Sequence, residues 1–192
     1  MIKKIILFLN IFFVYFASIN ITLADLQTDL INKITGTNTL SFNFKQQIAE
    51  SEETGKCIIK YPLRMKCDYK NKKQKIIIAN GKTVAIIKKK YKKIYYYPIK
   101  TTPLFLILDK EKIFKVIRNN KPVLIDSNLI IYEAIFKNKN KLKIVFDKNS
   151  LELRGWQTKD AYSNYVNFTL SDLETNKIIN DKLFKIPKVS EL

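Results

Sequence analysis

Histidine is absent from the 192 residues. That removes the side chain that titrates near neutral pH, the usual general base, the usual partner of a nucleophilic serine or cysteine, and the commonest metal ligand. Cysteine occurs only twice, too few to close a zinc site alone. Arginine is almost missing as well: Arg64, Arg118 and Arg154 stand among 35 basic residues, set against only 17 acidic ones. Specific recognition of phosphate or base edges favours the forked guanidinium. A net charge of +18 built from lysine therefore points to no nucleic-acid partner. Lysine, isoleucine and asparagine together dominate the chain, which is what AT-rich coding produces. Attraction to anionic lipid headgroups is the second reading of the charge. Carboxylates do recur in Asp109-Lys-Glu111 and Asp147-Lys-Asn149, but without evident pairing, and strand or helix ends account for them. An enzyme is not expected, and neither a cofactor nor a metal.

What is present starts with a leader. Lys3 and Lys4 precede an apolar run from Ile5 to Phe16, and Thr22-Leu23-Ala24 ends in small residues where a signal peptidase reads. Residues 1–24 are expected to be a secretory signal peptide cleaved after Ala24. The alternative is a membrane anchor, since Ile5 to Ala24 carries no charge and is about long enough to span a bilayer. No cysteine follows the apolar run, so the chain lacks a bacterial lipoprotein signature of its own. Residues 25–192 make one ordinary domain with neither linker nor repeat.

Along that domain, Leu26, Leu30, Ile31 and Ile34 recur at helical spacing until Gly36. The period then changes to two: Leu40, Phe42, Phe44, Gln46 and Ile48 alternate with polar residues. Cys57 and Cys67 flank a hairpin that turns at Pro62. Their even separation puts them on one face and near each other. An exported chain meets an oxidising compartment, so a disulfide is expected there, with two small apolar core residues as the alternative. Further strands are expected over 75–79, 83–87, 94–97, 123–126, 130–136, 142–146, 151–157 and 165–170, with an Asn80-Gly81 turn. A short helix is expected over Leu104–Leu108 after Pro103, and Lys112–Arg118 reads as strand or helix. The expectation is an α+β fold: about eleven antiparallel strands in a curved sheet or barrel, with helices across its opening.

Several of these pieces, taken in order, resemble the LolA family. They are Phe44-Lys45-Gln46, then Gly55, then Pro62-Leu63-Arg64-Met65-Lys66-Cys67-Asp68-Tyr69, then Ile76 to Gly81, then Tyr97 to Leu104. Leu153-Arg154-Gly155-Trp156, Asp160 and Phe184-Lys185-Ile186-Pro187 extend the likeness over most of the chain. The family's proteins are periplasmic carriers of outer-membrane lipoproteins. The resemblance implies a half-open, incomplete β-barrel whose helices form a lid over an apolar cavity that holds acyl chains. It implies a periplasmic monomer that takes acylated lipoproteins from an inner-membrane ABC transporter and hands them on, often to a LolB-type acceptor in the outer membrane. A lipid sensor, or a carrier of another lipid on the same half-barrel, is the alternative. One departure stands out. The family usually has arginine before the turn proline, bonding the lid; here that lid-latch position is Tyr61.

A carrier's wall should be aliphatic and aromatic, without a fixed polar group. The alternating face Phe42, Phe44, Cys57, Ile59, Met65, Cys67 and Tyr69 fits, and Ile76, Ile78, Leu104, Leu106 and Leu108 are candidates from the next strands and the lid. Ordinary core packing is the alternative for each. The run Lys88-Lys89-Lys90-Tyr91-Lys92-Lys93 reads as a solvated turn, or as a dock for anionic lipid or an acidic partner.

Overall fold

A computed structural model describes residues 23–136, 140–160 and 162–192. The expected leader falls on residues outside that set up to residue 22, and the first helix begins at Leu23. Eleven antiparallel strands form one open sheet: β1 Thr39–Ile48, β2 Ser51–Lys60, β3 Arg64–Tyr69, β4 Lys75–Asn80, β5 Thr83–Lys88, β6 Lys93–Pro98, β7 Leu124–Ile125, β8 Leu129–Phe136, β9 Asn140–Asp147, β10 Leu153–Lys159 and β11 Tyr165–Thr175. Their order in the sheet is β6-β5-β4-β3-β2-β1-β11-β10-β9-β8-β7, so the first and last strands meet at its centre and β6 and β7 are its edges. Nearly every connection is a hairpin, as expected from the short spacing between alternating runs. At β4–β5 the side chain of Asn80 accepts from the amides of Lys82 and Thr83 and holds the turn.

Three helices stand over the inner face: α1 Leu23–Thr35, α2 Leu104–Ile107 and α3 Lys110–Asn119. The segment left open between strand and helix is α3. Ile113, Phe114, Val116 and Ile117 are all buried, a helical stripe that no strand face accommodates. Asp109 caps it by accepting from the Glu111 amide at 3.1 Å, which accounts for that carboxylate. Asp147 is similarly taken up by the amides of Asn149 and Ser150 in the β9–β10 turn.

One contiguous buried cluster draws on β1 to β5, β8 to β11 and all three helices, so the sheet curls around the helical layer. A smaller cluster lies on the opposite face, where Ile78, Ala85 and Ile87 pack with Ile76, Ile94, Ile186 and Leu192. The chain's last residues thus cover the back of β4 and β5. They are tied down by Asp181, whose carboxylate pairs with Lys60 at 2.6 Å and Arg64 at 2.8 Å. The architecture is the half-open antiparallel barrel with a helical lid expected from the sequence.

Candidate functional site

Alternation along β1, β2 and β3 sends Phe42, Phe44, Ile59, Met65 and Tyr69 to the inner face, all buried. Cys57 and Cys67 are directly paired across β2 and β3, with Cα atoms 4.1 Å apart, and are joined as a disulfide. The aromatic rings form a continuous row across the sheet's centre. Tyr69 meets Phe44 edge-on at 4.7 Å, Phe44 stacks on Phe168 at 4.7 Å, and Phe168 stacks on Trp156 at 4.1 Å. Two glycines make room for the row. A Cβ on Gly55 would lie 2.7 Å from the Phe44 ring and 2.2 Å from the Asp68 carbonyl oxygen. One on Gly155, at φ 156°, would lie 2.1 Å from the Phe168 carbonyl oxygen. Gly155 sits beside the bulge in the β9–β10 pairing, and this close approach brings Trp156 onto Phe168.

Above the end of this row is a cavity of about 160 Å³. Its floor is Met65, Tyr69, Ile77, Trp156 and Phe168, and Pro103 and Leu104 roof it. It has one polar margin. The Tyr69 hydroxyl donates to Gln46 Oε1 at 2.7 Å. Lys75 pairs with Glu53 and holds its ammonium 3.7 Å above the Tyr69 ring centre. Asn71 donates to the same Glu53 carboxylate at 2.8 Å. Burial pushes the Tyr69 phenol above its ordinary value, with the Glu53 charge adding to it. Burial also pulls the Lys75 ammonium down, against the opposing effect of Glu53. The polar groups of the margin thus pair with one another, and apart from Thr158 the remaining wall is apolar.

The structure separates the sequence candidates. Phe42, Phe44, Ile59, Met65, Tyr69 and Leu104 share the inner side. Ile76 and Ile78 do not, and their assignment to the wall is corrected. Cys67 pairs with Ile77, so Ile77 and Ala79 face inward while Ile76 and Ile78 face the carboxy-terminal segment. Leu108 is fully buried but lies away from the cavity, and its carbonyl serves the lid. Leu106 borders a shallow outer hollow with Lys112, Val116 and Ile135 rather than the cavity. The far wall of Ile77, Trp156, Val166 and Phe168 is not among the residues that the sequence pattern singles out. The chain's one tryptophan beside a glycine is the available signal.

At the opposite end of the lid, the β2–β3 turn holds it closed. The Leu63 amide donates to the Leu108 carbonyl at 2.7 Å. Lys110, at the start of α3, donates to the Thr35 carbonyl at 2.9 Å and lies 5.3 Å from the centre of the Tyr61 ring. The Gln27 side chain ties α1 to α3 through the Ile117 carbonyl at 2.9 Å. The position of the expected latch is thus occupied by a ring beneath a cation, and the hydrogen bond to the lid comes from the neighbouring backbone. Among the described residues no group of three or more cysteines, aspartates or glutamates is placed to hold a metal ion. No described helix is long and apolar enough to cross a membrane.

The family model of the outer membrane lipoprotein carrier protein LolA matches residues 35–187. No curated protein matches the chain. An uncharacterized conserved protein from Thermus thermophilus shares the fold, with a TM-score of 0.51 at 8% identity over 87% of this chain and 96% of its own. A putative outer membrane lipoprotein-sorting protein domain from Vibrio parahaemolyticus superposes with a TM-score of 0.49 at 8% identity, over 83% and 94%. A LolA superfamily protein from Nitrosomonas europaea gives 0.45 at 7% identity, over 83% and 97%.

Proposed function

The chain belongs to the LolA family of outer membrane lipoprotein carrier proteins, and on that premise we propose that it shields the acyl chains of lipoproteins on their way across the periplasm. In this reading it takes its cargo from an inner-membrane lipoprotein-releasing ABC transporter. It delivers that cargo to the outer membrane, through a LolB-type acceptor where one exists. It acts by binding and release, without chemistry.

The observation that carries the reading is the apolar cavity under the lid, with Leu104 above and Tyr69, Ile77, Trp156 and Phe168 below. Its size indicates how it works. About 150 Å³ is enough for a six-carbon ring, so 160 Å³ is too small for a whole long acyl chain. Cargo entry then requires α2 and α3 to move off the inner face. Burial stabilises an acyl chain by about 0.8 kcal/mol per methylene, on the order of 10 kcal/mol for a long one. Tight binding of that size would prevent delivery. The lid solves this, because closing it over the empty site buries the same wall and lowers the net affinity. Ile107, Ile113 and Ile117, all nearly inaccessible in the closed form, are the lid residues whose burial competes with the cargo.

The test is to recover the protein from the cell envelope under mild conditions and identify what accompanies it by mass spectrometry. Acylated lipoproteins in stoichiometric amount support the carrier. Free phospholipid or another lipid in their place would favour the alternative of a different lipid carrier or sensor, and an empty protein under every condition would remove both.

A further inference from the structure

The surplus of lysine is not spread evenly. Some surface lysines sit beside carboxylates, such as Lys33 with Glu152, Lys45 with Glu52, Lys66 with Asp68, Lys141 with Glu133 and Lys177 with Glu174, and others, such as Lys56, Lys121, Lys182 and Lys185, are exposed singly or in pairs. One corner differs. The β3–β4 turn exposes Lys70, Lys72 and Lys73, and the β5–β6 turn exposes Lys89, Lys90, Lys92 and Lys93. None of these has a carboxylate partner among the described residues. The two turns are held side by side. Lys75 pairs with Lys88 across β4 and β5, and the Lys89 amide donates to the Gln74 carbonyl at 3.3 Å. Tyrosines flank the lysines: Tyr91 at the turn is 50% exposed, and Tyr95, Tyr96 and Tyr97 on the edge strand β6 are 40%, 56% and 43% exposed.

We propose that this lysine-tyrosine corner docks the protein on an anionic bilayer surface. Like charge held together destabilises the fold by self-repulsion, and a layer of anionic headgroups relieves it. Lysine rather than arginine suits the purpose, because a diffuse field of headgroups rewards point charge and asks for no planar fork. Tyrosine suits the headgroup level, with an apolar ring and a polar tip. Position gives the docking a use. Lys70 directly follows Tyr69, which lines the cavity, and Lys75 lies on the Tyr69 ring. Docking here brings the cavity end of the barrel to the membrane. The inference goes beyond the carrier reading and holds for the empty protein.

The experiment is flotation with vesicles of phosphatidylcholine, with and without about 30 mol % phosphatidylglycerol. One variant reverses Lys89, Lys90, Lys92 and Lys93 to Glu. A second, of equal net charge, reverses Lys56, Lys121, Lys182 and Lys185, which are exposed and scattered. Circular dichroism and urea unfolding check both folds. The wild type is expected to partition at least about tenfold better onto the anionic vesicles, and less well as salt rises. The corner variant is expected to lose that preference and the scattered variant to keep most of it. Equal loss in both variants would reduce the effect to net charge and overturn the proposal. So would a wild type indifferent to phosphatidylglycerol, or a corner that captures polyglutamate but not vesicles. Lipopeptide binding in vesicle-free solution reports the carrier reading separately, and the corner variant should retain it.

Discussion

The ring of Phe44 stacks on that of Phe168 with centroids 4.7 Å apart and planes 17° from parallel. Gln46 and Phe168 are register partners, so the stack lies across the seam where the first and last strands of the sheet meet. The stack needs space over β2, which Gly55 supplies. Gly55→Ala should therefore overpack the seam and cost about 1–3 kcal/mol. Urea unfolding reads this as a lowered midpoint with an unchanged slope, and an unaltered midpoint would mean that the ring does not need the glycine.

Leu104 is the lid residue whose side chain roofs the cavity, and it is only partly buried. Leu104→Glu should place a carboxylate where acyl carbon is to lie, reducing lipopeptide affinity at least about tenfold. The fold should lose only about 1 kcal/mol. Phe44→Glu should also abolish binding, but Phe44 is 3% exposed inside the aromatic row, so its loss mixes cavity and fold. Wild-type affinity in a folded Leu104→Glu protein would remove Leu104 from the site.

Lys110 fastens α3 to the end of α1 and covers Tyr61. Its ammonium is held below its ordinary value by burial, so the contact is partly shielded from water. Lys110→Met removes the charge and the hydrogen bond while keeping an apolar stem. A loss of about 1 kcal/mol from the closed state corresponds to about fivefold more open protein. Hydrophobic-dye binding by the empty form should rise in proportion, and unchanged dye binding would locate the latch elsewhere, at the Leu63 amide.

Asp181 fixes the carboxy-terminal segment across the back of β4 and β5. Hydrogen bonds from Lys60 and then Arg64 hold its carboxyl below the ordinary 3.8. A carboxyl depressed in the folded state binds fewer protons there than in the unfolded chain. Its contribution is fully present above the ordinary value and is lost as pH falls through the lower folded one. Asp181→Asn should loosen the segment at neutral pH, and variant and wild type should converge in strong acid. Hydrogen exchange at the amides around Ile186 measures this, and a difference that stays constant with pH would contradict the ion-pair account.

The fold is readable in the sequence because most strands alternate. Leu40 to Ile48 shows one apolar face, and register with the Cys57–Cys67 hairpin follows from it. Where alternation fails, so does the reading. Ile76, Ile77 and Ile78 are apolar in succession, so nothing local says which of them faces inward. The outer face is apolar because Ile186 and Leu192 cover it, more than a hundred residues further along the chain. The far wall is hidden for a related reason. Phe168 and Trp156 become neighbours only through the pairing of β10 with β11 and the bulge at Gly155. The family resemblance points to a side-chain latch, but the backbone of Leu63 makes the bond, and backbone donors leave no mark in a sequence.

The most direct measurement uses Trp156. It is the chain's one tryptophan, it is 6% exposed, and it forms part of the cavity floor. A triacylated lipopeptide with bromine along its acyl chains quenches an indole only at contact distance. Titrating it into the protein, in detergent-free buffer below its aggregation threshold, should quench Trp156 saturably at one lipopeptide per chain. An unbrominated lipopeptide should reverse the quenching, and Leu104→Glu should weaken it. Saturable binding that leaves Trp156 fluorescence untouched would place the cargo outside the cavity, and the absence of saturable binding would contradict the carrier itself.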